Sequence, residues 1–343
     1  VAFGFLIAAL RLGWEWKSAI DDVDSMIVEP RTLPTQMPNA ATVAALDETD
    51  TNSQGLAVAP LPTPLPTAIP EAEDPVNILL LGTDARPGED VSRTDAIILV
   101  HLNPRENRVS MLSFPRDLWV DIPGYGHNKI NAAYAIGEQR IGRGYGPALI
   151  KETVGNLVGV PVHHFVLVNF DGFEKVIDTI GGITIDVPKA IEDPLYPVSE
   201  YAGDNRTMHV SFAAGPQFMD GREALIYART RHADSDFGRN QRQQQVLMAI
   251  FDQVREQGLL SQLTRLDDYT NALRDYIRTD IPRGEMLRLA RVGTRLDANN
   301  IQRYAIDSKM IIVLDDPNRF AADPIAVRQI VDQMTAGGAP PTP

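Results

Sequence analysis

An α/β fold, an α-β-α sandwich around a mixed central β-sheet, is what this 343-residue sequence predicts, and three observations predict it. Continuous apolar runs such as "VNILLLG" and "DAIILVHL" mark strands covered on both faces. Segments with helical spacing are interleaved with such runs along the chain. Only the short, turn-rich "NPRENR" separates the second run from a third, "RVSMLSF", so those two form a hairpin.

The elements follow in order. "VAFGFLIAAL" gives ten apolar residues before Arg11, with Trp14 and Trp16 just beyond. A bilayer takes about 20 apolar residues, and Trp suits its interface. Residues 1–17 therefore read as the outer end of a truncated transmembrane helix; a cleaved signal peptide is the alternative. Residues 18–75 are poor in aromatics and contain "PLPTPLPTAIP", an extended, stiff linker. The folded domain is expected over 76–337, with a disordered tail at 338–343.

After the three strands come a helix at "GPALIKETVGNLVG", a strand at "HHFVLVNF" and a helix at "DGFEKVIDTIGG". "ITIDVP" adds a strand, "GREALIYART" a short helix and "DFGRNQRQQQVLMAIFDQVREQG" a long one. The remainder reads as mostly helical with one late strand at "IQRYAID".

The net charge of −13 argues against a nucleic-acid partner, which needs a basic face. With no cysteine, disulfides, thiolate metal sites and Cys nucleophiles are excluded, which fits an extracytoplasmic protein. Of the 32 basic residues only 6 are Lys, leaving 26 Arg. Arg is suited to bidentate contact with phosphate, although genome composition alone also enriches it.

The charges gather at segment ends. If the first two strands are antiparallel and the second and third form a hairpin, Asp84, Arg93, Asp95, Arg116 and Asp117 meet at one sheet edge. On the long helix Asp236, Arg239, Gln243, Leu247, Ile250 and Val254 fall on one stripe, which is apolar from Leu247 onward and so faces inward. Arg229 and Arg231 lie just upstream. Individual Arg–Asp pairs commonly serve structure alone. Together, five arginines and several carboxylates suit a phosphate ester with a divalent metal. His101, His163 and His164 have no partner at metal-ligand spacing and read as structural.

The motifs "LLLGTDAR", "SRTDAIILV", "VSMLSFPRDLWVDIPGYGHNKINAAYAIG", "VNFDGFEKVIDTIGGITIDVP" and "AGPQFMDGREALIYARTRHADSDFGRNQRQQQ" occur in order over residues 77–257. In these the chain resembles the LytR–CpsA–Psr family of cell-wall glycopolymer ligases. The resemblance implies a single-pass protein of the cytoplasmic membrane, held by an N-terminal helix, with its domain on the extracytoplasmic face. It implies transfer of a glycopolymer from a polyprenyl diphosphate carrier to peptidoglycan, with a phosphodiester link formed.

Carried over by motif are Asp84, Arg86, Arg93, Asp95, Arg116, Lys129, Arg229, Arg231, Asp236, Arg239 and Gln243. In this reading Asp84 and Asp95 hold Mg²⁺. Arg86, Arg93, Arg116, Lys129, Arg229, Arg231, Arg239 and Gln243 bind the diphosphate. Asp236 or Asp84 takes the acceptor's proton, so Asp84, Asp95, Arg116 and Asp236 form the catalytic set. Lys129 has a structural alternative as a turn lysine. "GTD" stands where "GSD" is commoner and "SFPRD" where "SIPRD" is, which leaves every charged position intact. The polyprenyl tail needs an apolar groove, for which Val158, Val166 and Leu247 are candidates that sequence does not separate from ordinary core. A diphosphate hydrolase using the same site, and a non-catalytic module binding a lipid-linked polyanion, are the competing readings.

Overall fold

The structure, a computed structural model, describes residues 25–34, 74–84, 93–198, 206–231, 236–257, 276–293, 295–296, 298–316 and 319–336. The first strands are β1 (Val76–Thr83), β2 (Thr94–Asn103) and β3 (Arg108–Ser113), followed by a small hairpin of β4 (Trp119–Ile122) and β5 (Gly126–Lys129). Then come α1 (Ala132–Ile136), α2 (Gly146–Val158), β6 (His164–Asn169) and α3 (Phe170–Thr179). β7 (Ile183–Val187), β8 (Ile191–Pro197), β9 (Thr207–Phe212) and β10 (Gly215–Met219) precede α4 (Gly221–Arg229) and the long α5 (Asp236–Glu256). The chain closes with β11 (Ile277–Thr279), α6 (Arg283–Gly293), β12 (Ile301–Ala305), β13 (Ile311–Val313), β14 (Phe320–Ala322) and α7 (Pro324–Ala336).

Six strands form the central sheet in the order β11-β6-β1-β2-β3-β12. β1 pairs antiparallel with β2 and parallel with β6, so the sheet is mixed, and the β2–β3 hairpin is present. Period-two alternation splits the apolar strands between two cores. Leu79, Leu81, Ile97, Leu99 and Leu112 face α1, α2 and α7. Ile78, Ile98, Val100 and Leu102 face α3, α5 and α6. Helices thus cover both faces, as the apolar runs demanded.

The far side of α5 buries Val246, Ala249, Ile250 and Val254 against β7, β8, β10 and α4. With apolar layers on two sides, α5 carries buried polar residues in its first half. Gln244 Nε2 donates to Ser113 Oγ (2.8 Å) and to the Tyr304 carbonyl (2.7 Å), which locks that half to β3 and β12.

The tail of the domain departs from the mostly helical expectation. β11, β13 and β14 are strands of only three residues, too short for period-two alternation to register. β8 and β9 form a separate hairpin whose Pro194 and Pro197 argue against a central strand and suit an edge.

Within the stretch read as a linker, residues 25–34 lie on the domain. Met26 is buried among the α3–α5–α6 core, and the Val28 N–H donates to the Thr279 carbonyl at 2.7 Å. Among the described residues no helix is long and apolar enough to cross a membrane. Segment 1–17 and tail 338–343 lie outside them.

Candidate active site

A cavity of about 260 Å³ opens where β1 and β6 end and β2 begins. Crevices beyond the carboxyl ends of strands are the usual ligand sites of open α/β sheets. Gly82 lies in its wall, beside a bulge between Gly82 and Thr83 in the β1–β2 pairing. A Cβ at Gly82 would stand 3.0 Å from the Ala96 Cβ, so any larger residue there would have to push the two strands slightly apart.

One wall is charged. Asp95, from the start of β2, accepts a 2.6 Å hydrogen bond from Arg116 Nη1. Arg116 sits in the turn after β3, where the Leu118 N–H donates to the Pro115 carbonyl and the Asn131 N–H to the Arg116 carbonyl. From α5 come Arg239, which is 4% exposed, and Gln243 one turn further on. The Gln243 Oε1 is buried with no hydrogen-bond partner, a polar group in the wall able to bond a ligand. Arg229 and Arg231, at the end of α4, complete this side.

Val168, Phe170, Phe173, Leu225 and Ala228 supply an apolar part of the lining. Arg229 spans the two. Its guanidinium lies 4.2 Å from the Phe170 ring centroid and donates to the Tyr196 hydroxyl at 3.1 Å.

Of the residues singled out from sequence, Asp95, Arg116, Arg229, Arg231, Arg239 and Gln243 share this cavity. Asp84 is exposed at the end of β1, and Arg93 is exposed one residue before β2; both border the same sheet edge without lining the cavity. Lys129 does not line it either. Its Nζ donates to Asp117 Oδ1 at 2.6 Å, and Asp117 stands 3.7 Å from Arg116 Nε. Burial pushes the Asp117 carboxyl up, but the Lys129 hydrogen bond and the charges of Arg116, Lys129 and Arg239 outweigh it and hold it below the usual range. Arg86 lies outside the described residues, as does the side chain of Asp236, whose backbone begins α5.

Val158, Val166 and Leu247 do not form the apolar wall. Val158 belongs to one core, and Val166 and Leu247 pack in the other. Sequence reasoning missed Phe170, Phe173, Asp193 and Tyr196. The first two sit on the amphipathic α3, read only as a helix; for the others the "DP" of "EDPLYP" marks a turn but not which side chains that turn brings inward.

Among the described residues no cluster of three or more His, Asp or Glu side chains is placed to hold a metal ion. The sheet edge instead offers two carboxylates beside the arginines, Asp95 on β2 and Asp84 one residue past the end of β1. That donor set fits Mg²⁺, a hard cation that takes its remaining ligands from phosphate oxygens and water.

The LytR_cpsA_psr family model matches residues 38–335. The polyisoprenyl-teichoic acid–peptidoglycan teichoic acid transferase TagU of Halalkalibacterium halodurans is 34% identical over 239 residues, 68% of this chain and 70% of that protein. The crystal structure of B. subtilis TagV superposes with a TM-score of 0.60 at 29% identity, over 78% of this chain and 99% of that one. TagT bound to LI-WTA gives 0.58 at 26%, over 78% and 94%.

Proposed function

The chain belongs to the LytR_cpsA_psr family, and from that we propose that it transfers a glycopolymer from a polyprenyl diphosphate carrier to peptidoglycan. The observation that carries this reading is the mixed lining of the cavity. Its arginines suit a diphosphate, and its aromatic and aliphatic residues suit the first part of a polyprenyl chain. The transferase name of the relatives supports the same reaction class.

In the reaction, an acceptor sugar hydroxyl of peptidoglycan attacks the phosphorus that carries the glycopolymer. A new P–O bond forms as the bond to the bridging diphosphate oxygen breaks. Polyprenyl phosphate leaves with that electron pair, and the phosphodiester remains. Transfer of this kind depends on positioning and charge stabilisation. Arg116, held by Asp95, and the buried Arg239 neutralise charge on the transferring phosphate. Arg229 and Arg231 grip the leaving phosphate, Arg93 contributes from the exposed edge, and Arg86 binds the diphosphate with them. Lys129 acts on the site through Asp117. Gln243 orients a phosphate oxygen or the acceptor hydroxyl, and Asp236 or Asp84 accepts the hydroxyl proton.

Asp84 and Asp95 are the residues that would hold Mg²⁺, which when bound supplies further charge neutralisation on the diphosphate. Localisation follows the same reading: residues 1–17 anchor the chain in the cytoplasmic membrane, and the domain works on its extracytoplasmic face.

The test is an assay with a short-chain polyprenyl diphosphate sugar, Mg²⁺ and peptidoglycan fragments, run beside Arg116→Ala. Sugar phosphate joined to the fragment, abolished by EDTA and in the variant, is the expected result. Release of sugar phosphate without attachment means a hydrolase. Tight Arg116-dependent binding with no turnover means a binding module.

A further inference from the structure

Asp193 has no part in the chemistry above, yet it is 0% exposed in the wall of the cavity. Its two carboxylate oxygens serve different elements. Oδ1 accepts from the Leu195 N–H at 3.1 Å, closing a turn on β8 itself. Oδ2 accepts from the Thr230 hydroxyl at 2.7 Å and from the Arg231 N–H at 3.3 Å. Thr230, also 0% exposed, takes a further bond at its carbonyl from the buried Arg242.

The turn on β8 has a consequence for the arginines. Ile191 and Asp193 point inward, and unbroken alternation would bring Leu195 in next. A register shift between Asp193 and Tyr196 reverses the parity. Leu195 is 54% exposed instead, and Tyr196, 1% exposed, is turned in to receive Arg229. One carboxylate therefore fixes both the tyrosine that receives the Arg229 side chain and the backbone from which Arg231 departs. A buried carboxylate is costly to desolvate, so the donors that meet it from two elements mark a constructed contact.

We infer that Asp193 is the positioning residue of the Arg229–Arg231 pair, acting through Thr230 and through the β8 turn that delivers Tyr196. The inference rests on the proposed diphosphate site and assigns the group that holds its leaving-phosphate side in place.

The experiment is calorimetric titration of the full chain with geranyl diphosphate and Mg²⁺. The set is the wild type, Arg229→Ala, Thr230→Val, Thr230→Ser and Asp193→Asn, with the folded fraction of each measured by near-UV circular dichroism. Wild-type binding that fails in Arg229→Ala establishes the site independently of Asp193. Thr230→Val removes only the hydroxyl donor and is expected to bind about tenfold more weakly, the worth of a hydrogen bond to a charged group. Thr230→Ser restores the donor and should return to within about twofold of wild type. In an Arg231→Ala background the Thr230→Val loss should shrink, because the residue it acts through is gone; a merely structural role would leave it unchanged.

Asp193→Asn, with no charge and only one acceptor oxygen, should lose at least as much as Thr230→Val and serves if that variant does not fold. Binding by folded Thr230→Val or Asp193→Asn equal to wild type overturns the inference while leaving the diphosphate site intact. No binding by the wild type removes both.

Discussion

Lowering the pH from 7.5 to 5 should destabilise this protein through two histidines far from its cavity. His101, on β2, is 4% exposed, and its Nδ1 lies 2.8 Å from Asn77 Oδ1, an acceptor that fixes the proton on Nδ1. His163 Nδ1 accepts from the Asn77 N–H at 2.9 Å, so its proton sits on Nε2. Both rings are built to be neutral. Burial chiefly, with Arg108 and His163 adding, lowers His101 to about 4. Burial, with His164 and Lys151 against an opposing Glu285, lowers His163 to about 4.

The unfolded chain, with His near 6.5, binds more protons between pH 6.5 and 4, so stability falls as pH falls through that window. At pH 5 the loss is about 2 kcal/mol per ring, and about 3 kcal/mol once the pH is below 4. Asp117 and Asp280, both lowered from 3.8, lose their stabilisation only below that value and do not confuse the window. Glu152, Glu174 and Asp252, raised by burial, act in the opposite sense and trim the total near its acid end.

Urea unfolding at pH 7.5, 6 and 5 should therefore show a steep loss in the wild type. It should be nearly flat in His101→Asn/His163→Asn, where the amide occupies the Nδ1 position without titrating. Equal slopes in the two proteins would refute the assignment of this acid sensitivity to the Asn77 cluster.

Three further outcomes follow from contacts already described or adjacent to them. Lys151 Nζ donates to Asp280 Oδ2 at 2.5 Å with that carboxylate 2% exposed, so Lys151→Met should cost about 3–5 kcal/mol in urea unfolding by stranding a buried charge. Lys129→Met should lower transfer less than about tenfold, since a half-exposed lysine acts only through Asp117, whereas Arg116→Ala should cost about a hundredfold or more in kcat. Gly82→Ala should leave the protein folded but impair geranyl diphosphate titration, because the added methyl pushes β1 from β2 at the cavity wall.

The central strands and the charged wall were legible for the same reason: both are written in local pattern. The apolar run of β1 and the hairpin spacing of β2 and β3 dictate pairing, and that pairing brings Asp95 to Arg116. Arg239 and Gln243 of α5 line the cavity, although their stripe divides beyond them, Leu247 packing in one core and Ile250 and Val254 in another. What was not legible depends on contacts distant in sequence. Lys129 carries a family motif, yet its partner is Asp117 rather than the cavity. Asp193 stands 37 residues from the Thr230 it holds, and nothing in "EDPLYP" announces that a bulge will turn Tyr196 inward. Phe170 and Phe173 are indistinguishable in sequence from helix residues that pack on a sheet; only the third layer of strands beyond α5 leaves them a cavity to line.

The overall charge of the chain conceals what this cavity selects. Across all residues the formal sum is −13, but the cavity wall holds Arg116, Arg229, Arg231 and Arg239 against Asp95 and Asp193, a local excess of two positive charges. Such an excess weakens the fold, because arginines held close together repel one another and Arg239 is almost wholly out of water. A ligand with two or more negative charges relieves that repulsion. The apolar wall then separates candidates of equal charge: a free diphosphate leaves Phe170, Phe173 and Leu225 facing water, whereas one attached to a prenyl chain covers them. On the proposed function, charge admits the head group and burial of the tail retains it, so an amphiphilic diphosphate should bind more tightly than either half alone.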